Sequence, residues 1–150
     1  MDRGLSHIAL TVRDVDRSIE FYREYADFEV IHRRGETGRR VVWLSDLHQA
    51  FALVLVESET DDVRLGGVAH LGIACANRSE VDRRSARAKR AGRLLREPED
   101  GGKPVGYWAL LRDPDGHNVE LSFGQDVGTE VRRVATRRKA PNGIRATNWG

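Results

Sequence analysis

The two halves of this chain carry the same succession of sequence patterns, and this internal repeat is the strongest constraint on its fold. The first copy begins at Ser6 as SHIALTVRDVDRSIEFYREY, and the second begins at Ala69 as AHLGIACANRSEVDRRSARA. Each copy is a short alternating strand, then a polar break, then a helix-like run. A histidine opens both strands, His7 in one and His70 in the other. The sequence therefore predicts two copies of one structural module.

A second pair of segments extends the repeat. The segment VVWLSD ends at Asp46 and the segment YWALLRD ends at Asp113, and each is followed by a further apolar strand. Each half thus shows the order strand, helix, strand, strand, strand. We predict an α+β protein built from two paired βαβββ modules.

The helix boundaries are predicted from capping residues. The first helix spans about 15–26, with Asp14 or Asp16 as its N-cap. In the second helix Ser79 and Asp82 resemble a capping box, and Gly92 is the expected stop. We expect the next strand to cover 93–96 and the segment 97–106, EPEDGGKPVG, to be a flexible loop.

The charge of the chain is unevenly distributed. Six of its 25 basic residues lie in 131–150, where Asp and Glu are absent, so the rest of the chain carries 19 basic and 23 acidic residues. The pI near 9 therefore reflects the C-terminal tail and does not indicate a nucleic-acid-binding body. The tail from residue 126 onward shows no clear period, and we predict a disordered end, with an arm on a partner subunit as the alternative.

Cysteine content and the first residues limit the class of protein further. With Cys75 as its single cysteine, the chain forms no intrachain disulfide, and this residue is expected in the core. The apolar run near the N-terminus is too short and too polar for a signal sequence or a membrane span. We expect a cytoplasmic protein that contacts neither membrane nor nucleic acid.

Three polar side chains fall on strand faces otherwise made of small residues. His7 shares its face with Ala9 and Thr11, and His70 shares its face with Gly72 and Ala74, because side chains alternate along a strand. Glu120 lies beside Ser122 and Gly124 in the same way. Small neighbours leave room for a bound molecule, so we expect these three polar groups to line a cavity.

Two imidazoles and one carboxylate are a usable set of metal ligands. They suit Fe²⁺, Mn²⁺, Ni²⁺, Zn²⁺ or Co²⁺ and leave coordination positions open for a substrate that binds through two adjacent oxygens. The metal then acts as a Lewis acid. The other histidines, His32, His48 and His117, are expected to be exposed.

The chain resembles the vicinal oxygen chelate superfamily, which includes glyoxalase I, extradiol dioxygenases, fosfomycin-resistance enzymes and bleomycin-resistance proteins. The resemblance rests on HIALTVRDVDRSIEFY from His7, AHLGIA around His70 and DPDGHNVEL from Asp113. It implies a single domain over 1–125, with modules at 5–60 and 68–125, followed by the basic tail 126–150. It also implies curved mixed sheets around a central cleft, with His7, His70 and Glu120 as metal ligands. We further expect a homodimer.

The fourth metal position of the family is where this sequence departs from the pattern. Alignment of the third strands places Leu53 opposite Glu120, whereas Glu57 lies on the same face two strand pairs later. Glyoxalase I uses two glutamates, so its chemistry is in doubt here if Leu53 holds that position. Extradiol enzymes use two histidines and one glutamate, although their usual tyrosine is replaced by Leu110. Our leading hypothesis is a ring-cleaving dioxygenase with Fe²⁺. A glyoxalase-like lyase or isomerase and a metal-free ligand-binding protein are the alternatives.

Overall fold

The structure is a computed structural model that describes residues 4–59 and 63–139. Its first module contains one helix and four strands. In chain order they are β1 His7–Val12, α1 Val15–Ala26, β2 Glu29–Arg34, β3 Val41–Ser45 and β4 Ala52–Glu57. The order strand, helix, strand, strand, strand is the one that the repeat predicted.

The second module has the same order and is followed by a third helix. Its elements are β5 Leu71–Ala74, α2 Arg78–Arg90, β6 Leu94–Asp100, β7 Tyr107–Arg112 and β8 Asn118–Phe123, with α3 Val127–Lys139 after them. None of the helices in the described part of the chain is long and apolar enough to cross a membrane.

Each module folds into one four-stranded mixed sheet. The strand orders are β1-β4-β3-β2 and β5-β8-β7-β6, and in both sheets the first and last strands of the module pair in parallel. The remaining pairs are antiparallel hairpins. The helix of each module serves as the first part of the long connection that a parallel pair requires. The predicted α+β fold of two paired βαβββ modules is confirmed.

The helix caps follow the sequence in module one and differ slightly in module two. Asp14 caps α1 by accepting hydrogen bonds from the backbone N–H groups of Asp16 and Arg17. The cap of α2 is Asn77, not Ser79, so that prediction was wrong by two positions. Asn77 accepts a hydrogen bond from the backbone N–H of Glu80, and the Glu80 side chain accepts one from the N–H of Ala76, one residue before the donor of a standard capping box. Gly92 follows the helix with a φ of 69°, as expected for a stop.

One continuous core joins the modules. It contains residues of both helices and both sheets, including Tyr22 and Leu55 from module one and Val81, Leu121 and Cys75 from module two. Cys75 is buried, as predicted, and burial raises the pKa of its thiol to about 11. The modules therefore fold as a single hydrophobic unit rather than as two separate ones.

His117 is buried at the junction of the modules, which corrects the prediction that it is exposed. Its side chain is 1% exposed. Nδ1 accepts a hydrogen bond from the backbone N–H of Leu65 at 3.0 Å, and Nε2 lies 2.9 Å from the carbonyl oxygen of Thr11. A carbonyl can only accept, so Nε2 carries the proton, and the neutral ring satisfies both partners. The ring thus connects the second module to β1 and to Leu65 in the segment between β4 and β5.

Two further predictions were wrong in the second half of the chain. Strand β6 continues to Asp100, so the predicted loop at 97–106 begins only after it. The tail is not disordered over its first part, because α3 covers Val127–Lys139. An ion pair between Glu130 and Arg133 one turn apart stabilises this helix. The rest of the tail, 140–150, lies outside the described residues.

Candidate metal centre

His70 and Glu120 face each other on the second sheet. His70 immediately precedes β5, and Glu120 on β8 pairs with Gly72 on β5. Because side chains two residues apart share a face, this register brings the imidazole and the carboxylate together. The distance from His70 Nε2 to Glu120 Oε2 is 3.6 Å. A Cβ atom added at Gly72 would meet nothing within 4 Å, so the face beside the pair is open.

Hydrogen bonds fix the orientation of both side chains. His70 Nδ1 lies 2.8 Å from the carbonyl oxygen of Val68 and must donate to it, which leaves the lone pair of the neutral ring on Nε2. Gln125 donates from Nε2 to Glu120 Oε1 at 2.7 Å, so Oε2 is the oxygen that faces the ring. Two electron-pair acceptors therefore point at one another, an arrangement that a cation or an added proton between them stabilises.

The geometry of the pair fits a divalent metal. Imidazole nitrogen and carboxylate oxygen bind such ions at about 2.0–2.2 Å, so two ligands of one ion lie at most roughly 4.2 Å apart. The observed 3.6 Å falls within this limit and exceeds the usual length of a charge-assisted hydrogen bond, about 2.7–2.9 Å. The hydrogen bonds from Gln125 and to Val68 match the supporting shell that metal ligands usually have.

His7 lies on the first sheet, apart from this pair. Its Nδ1 shares a hydrogen bond of 2.9 Å with the Ser6 hydroxyl. Its Nε2 forms no hydrogen bond within the described ranges. Across residues 4–59 and 63–139, no three His, Cys, Asp or Glu side chains come close enough to hold one metal ion. Within the described residues of a single chain, His70 and Glu120 therefore come together, and the third predicted ligand, His7, lies apart from them.

Val54, not Leu53, is the first module's counterpart of Glu120. His7 pairs with Ala52 on β4, so the residue two positions further along the same face is Val54. Leu53 points into the core and is 1% exposed. The alignment on the third strands was wrong by one residue because the hairpins that follow them differ in length. The correction leaves the conclusion unchanged, since the first module places an apolar side chain at this position.

Glu57 is committed to an ion pair at the far end of β4. It pairs with Val12, the last residue of β1, whereas His7 is the first. Arg40 donates from Nη2 to its Oε1 at 2.5 Å and from Nε to its Oε2 at 2.9 Å. These bonds lower the pKa of Glu57 to about 2. The arrangement gives Glu57 a structural role in the first module.

A cavity of about 480 Å³ opens on the face of the first sheet beside His7. Its walls are mainly apolar, and they include Trp43, for which the sequence left core and cleft wall as alternatives, and Arg34, which the sequence did not assign to a site. Trp43 on β3 is 39% exposed and lies against His32, with 5.0 Å between ring centroids. Arg34, at the end of β2, is the cation of the cavity wall. Alternation along β2 and β3 would have placed both on the same face as His7, but a bulge at Ile31 hides the register in the sequence.

Gln125 is the other side chain of the site that the sequence did not reveal. It lies beyond β8, where Gly124 adopts a φ of 88° and turns the chain back towards the sheet. Only this turn brings the amide to Glu120. His32 and His48 are exposed, as predicted.

Two paired βαβββ modules define the α+β class of this protein, with a histidine at the start of each module and a glutamate on the last strand of the second. The family model of the Glyoxalase/Bleomycin resistance protein/Dioxygenase superfamily matches residues 4–121. The chain belongs to this superfamily, as the sequence motifs indicated.

Several known proteins are similar to this chain. The uncharacterised protein PA2024 of Pseudomonas aeruginosa is 38% identical over 131 residues, which cover 85% of this chain and 94% of the relative. The structure of a possible glyoxalase from Bacillus cereus has a TM-score of 0.62 at 25% identity, covering 81% of this chain and 99% of its own.

A structure of a fosfomycin resistance protein variant, FosX from Listeria monocytogenes, has a TM-score of 0.66 at 22% identity, covering 89% of this chain and 99% of its own. That protein was crystallised with Mn(II) and 1S,2S-dihydroxypropylphosphonic acid. At this identity the likeness concerns the fold.

Proposed function

We propose that this protein is a divalent-metal-dependent enzyme that acts on a small substrate with two adjacent oxygen atoms. The observation that carries the proposal is the pair of His70 Nε2 and Glu120 Oε2, 3.6 Å apart and both oriented by hydrogen bonds to other groups. Bound there, the ion would supply Lewis-acid chemistry to the two substrate oxygens.

The third ligand in this proposal is His7 of a second copy of the chain. Within one chain His7 lies on the other sheet, and its Nε2 forms no hydrogen bond with the part of the chain that the structure describes. Apolar side chains on both sheets are exposed, including Trp43 and Ile31 on the first and Leu95 on the second. A two-fold dimer that places the first sheet of one copy against the second sheet of the other would cover these side chains and complete the site twice. The homodimer that we expect from the sequence is therefore part of the proposed function.

Extradiol ring cleavage with Fe²⁺ is the reaction that we propose first. Two imidazoles and one carboxylate hold an ion on one side, so positions remain for a bidentate substrate and for oxygen. Leu110, which pairs with Glu120 across the sheet, stands where these enzymes usually have a tyrosine. The tyrosine nearest in sequence, Tyr107, donates a hydrogen bond from its hydroxyl to Asp82 on α2. An acid from elsewhere in the site would have to take the tyrosine's role, and isomerase or lyase chemistry is the alternative reaction.

Metal analysis of protein purified without chelators tests the proposal. The expected result is close to one divalent ion per chain, lost in His70→Ala and in Glu120→Gln. His48→Ala is the matched control because His48 is an exposed loop histidine. If iron is present, oxygen uptake with a panel of catechols tests the ring-cleavage reaction. Metal content that stays low and is the same in the wild type and in His70→Ala would contradict the proposal.

The second candidate function is metal-free binding of a small apolar ligand. The mainly apolar cavity of about 480 Å³ favours it, because its volume suits a drug-sized molecule without any ion. Under this hypothesis Glu120→Gln leaves ligand affinity unchanged. Under the enzyme hypothesis the same change weakens the binding of a chelating ligand.

A further inference from the structure

The cavity on the first sheet combines a guanidinium group, Arg34, with the exposed indole ring of Trp43. We infer that it selects a planar, aromatic substrate that carries a negative charge far from its two metal-binding oxygens. The inference rests on the proposed function and specifies its substrate class. The first observation is that Arg34 has no acidic partner in residues 4–59 and 63–139, although it lines the cavity.

The cavity offers this cation to a ligand rather than to the protein. None of the side chains that line it is acidic. Glu57 is not a counter-ion for Arg34, because it follows Val56 on β4 and faces the other side of the sheet, where it pairs with Arg40. A guanidinium presents paired donors that match a carboxylate or phosphonate group. The ligand that fits this end of the cavity is therefore an anion.

Three side chains lie in order along a diagonal of the sheet. Strand pairing fixes their positions relative to β4. His7 pairs with Ala52, and Trp43 pairs with Val54. Arg34 pairs with Val41, which in turn pairs with Val56. At about 3.3 Å per residue these positions along β4 are roughly 7 Å apart. The strand order β1-β4-β3-β2 places His7 at one edge, Trp43 on an inner strand and Arg34 at the other edge. The indole therefore lies between the histidine and the cation.

This order dictates how a ligand would lie. An aromatic ring stacks well on an exposed indole. The ring of Trp43 also packs against His32, its partner on the adjacent strand β2. With its ring over Trp43, the ligand would direct its vicinal oxygens towards His7 and the metal, and its anionic group towards Arg34. Because the two ends of the diagonal are far apart, a charge on a short side chain suits the cavity better than one attached directly to the ring.

A matched pair of catechols tests the inference. The acid 3-(3,4-dihydroxyphenyl)propanoate and its primary amide share the ring and the vicinal oxygens and differ in charge. Calorimetric titration of the metal-loaded protein is expected to give at least about 10-fold tighter binding of the acid, since a charge-assisted pair is about twice as strong as a neutral one. Arg34→Gln is expected to remove that preference and to leave the affinity for the amide unchanged.

The neighbouring residue provides the control. Arg33→Gln removes the same charge one position earlier, where Arg33 pairs with core-facing Val42 and points to the other side of the sheet. This variant is expected to keep the preference for the acid. Trp43→Ala is expected to weaken the binding of both catechols by a similar factor.

The possible outcomes separate this inference from the proposed function. Equal binding of the acid and the amide, binding of neither, or a preference that survives Arg34→Gln would overturn the inference. The metal content of the same preparations tests the proposed function independently. A preference for the acid in protein that holds no metal would support the inference while contradicting the enzyme proposal.

Discussion

Gln125 supports the candidate metal ligand Glu120 through a single hydrogen bond of 2.7 Å. Gln125→Leu removes the donor and frees the carboxylate to rotate away from His70. We expect the affinity for the divalent ion to fall by about 10–100-fold, the usual effect of losing such a supporting residue. Metal titration of apo-protein measures this change, with thermal unfolding in EDTA as the control for folding. An unchanged affinity would mean that Glu120 is oriented by packing alone.

Glu57 is expected to contribute to stability and not to metal binding. Its pKa is lowered to about 2 by the hydrogen bonds from Arg40, so the unfolded chain takes up a proton here at higher pH than the folded chain does. The stabilisation is therefore present above about pH 5 and is lost as the pH falls towards 2.

The variant Glu57→Gln tests that assignment. We expect a loss on the order of 2 kcal/mol in the free energy of unfolding at pH 7, since Arg40 keeps its charge and loses the more buried of its two carboxylate partners, Glu57 and Asp16. The difference from the wild type should shrink at pH 3, and urea unfolding at both pH values measures it. The metal content should stay at the wild-type level. A variant that folds normally but loses its metal would make Glu57 a ligand.

The turn between β7 and β8 joins the two modules, and several of its residues contribute to the junction. Asp113 accepts hydrogen bonds from the backbone of Asp115 and His117 and from the hydroxyl of Tyr22 on α1. Burial raises the pKa of Asp113 and, together with this carboxylate, that of Tyr22. His117 adds bonds to β1 and to the segment between β4 and β5.

Replacing His117 should loosen this junction. His117→Phe keeps a ring but removes the hydrogen bonds that the imidazole makes with the N–H of Leu65 and the carbonyl of Thr11. At about 1–3 kcal/mol for each buried group, we expect a loss of roughly 3 kcal/mol. Urea unfolding measures this loss, with His48→Phe as the control. His48 is exposed, so its replacement should change the free energy of unfolding little. Equal and small losses in both variants would show that the junction does not depend on the His117 ring.

The sequence predicted most of the helices and strands but not the contacts that they make with one another. The repeat and the alternation of side chains were enough for the order of strands and for the face of Glu120. His117 was predicted to be exposed because DPDGH is typical of a surface turn, and only the packing of module two against module one buries it. Helix α3 was missed because its valines at 127, 131 and 134 are exposed and its arginines suggest a solvated tail.

For the molecule as a whole, the central question is which chain supplies His7. The sequence placed His7 and His70 in equivalent positions of the two modules and Glu120 in the second, and this pattern does not say whether the modules of one site belong to the same chain. The structure brings two of the three together and leaves His7 on the other sheet. The proposed dimer follows from this separation and from the exposed apolar side chains of both sheets.

Complementation between two inactive variants tests this central claim most directly. His7→Ala and His70→Ala are each purified, unfolded together, refolded and assayed for bound metal, with each variant alone as the control. If the site is shared, a mixed dimer combines an intact His7 with an intact His70 and Glu120 once. Half of randomly assorted dimers are mixed, so we predict about a quarter of the wild-type metal content in the mixture and close to none in either variant alone. A mixture that forms dimers but holds no more metal than its separate components would contradict the shared site.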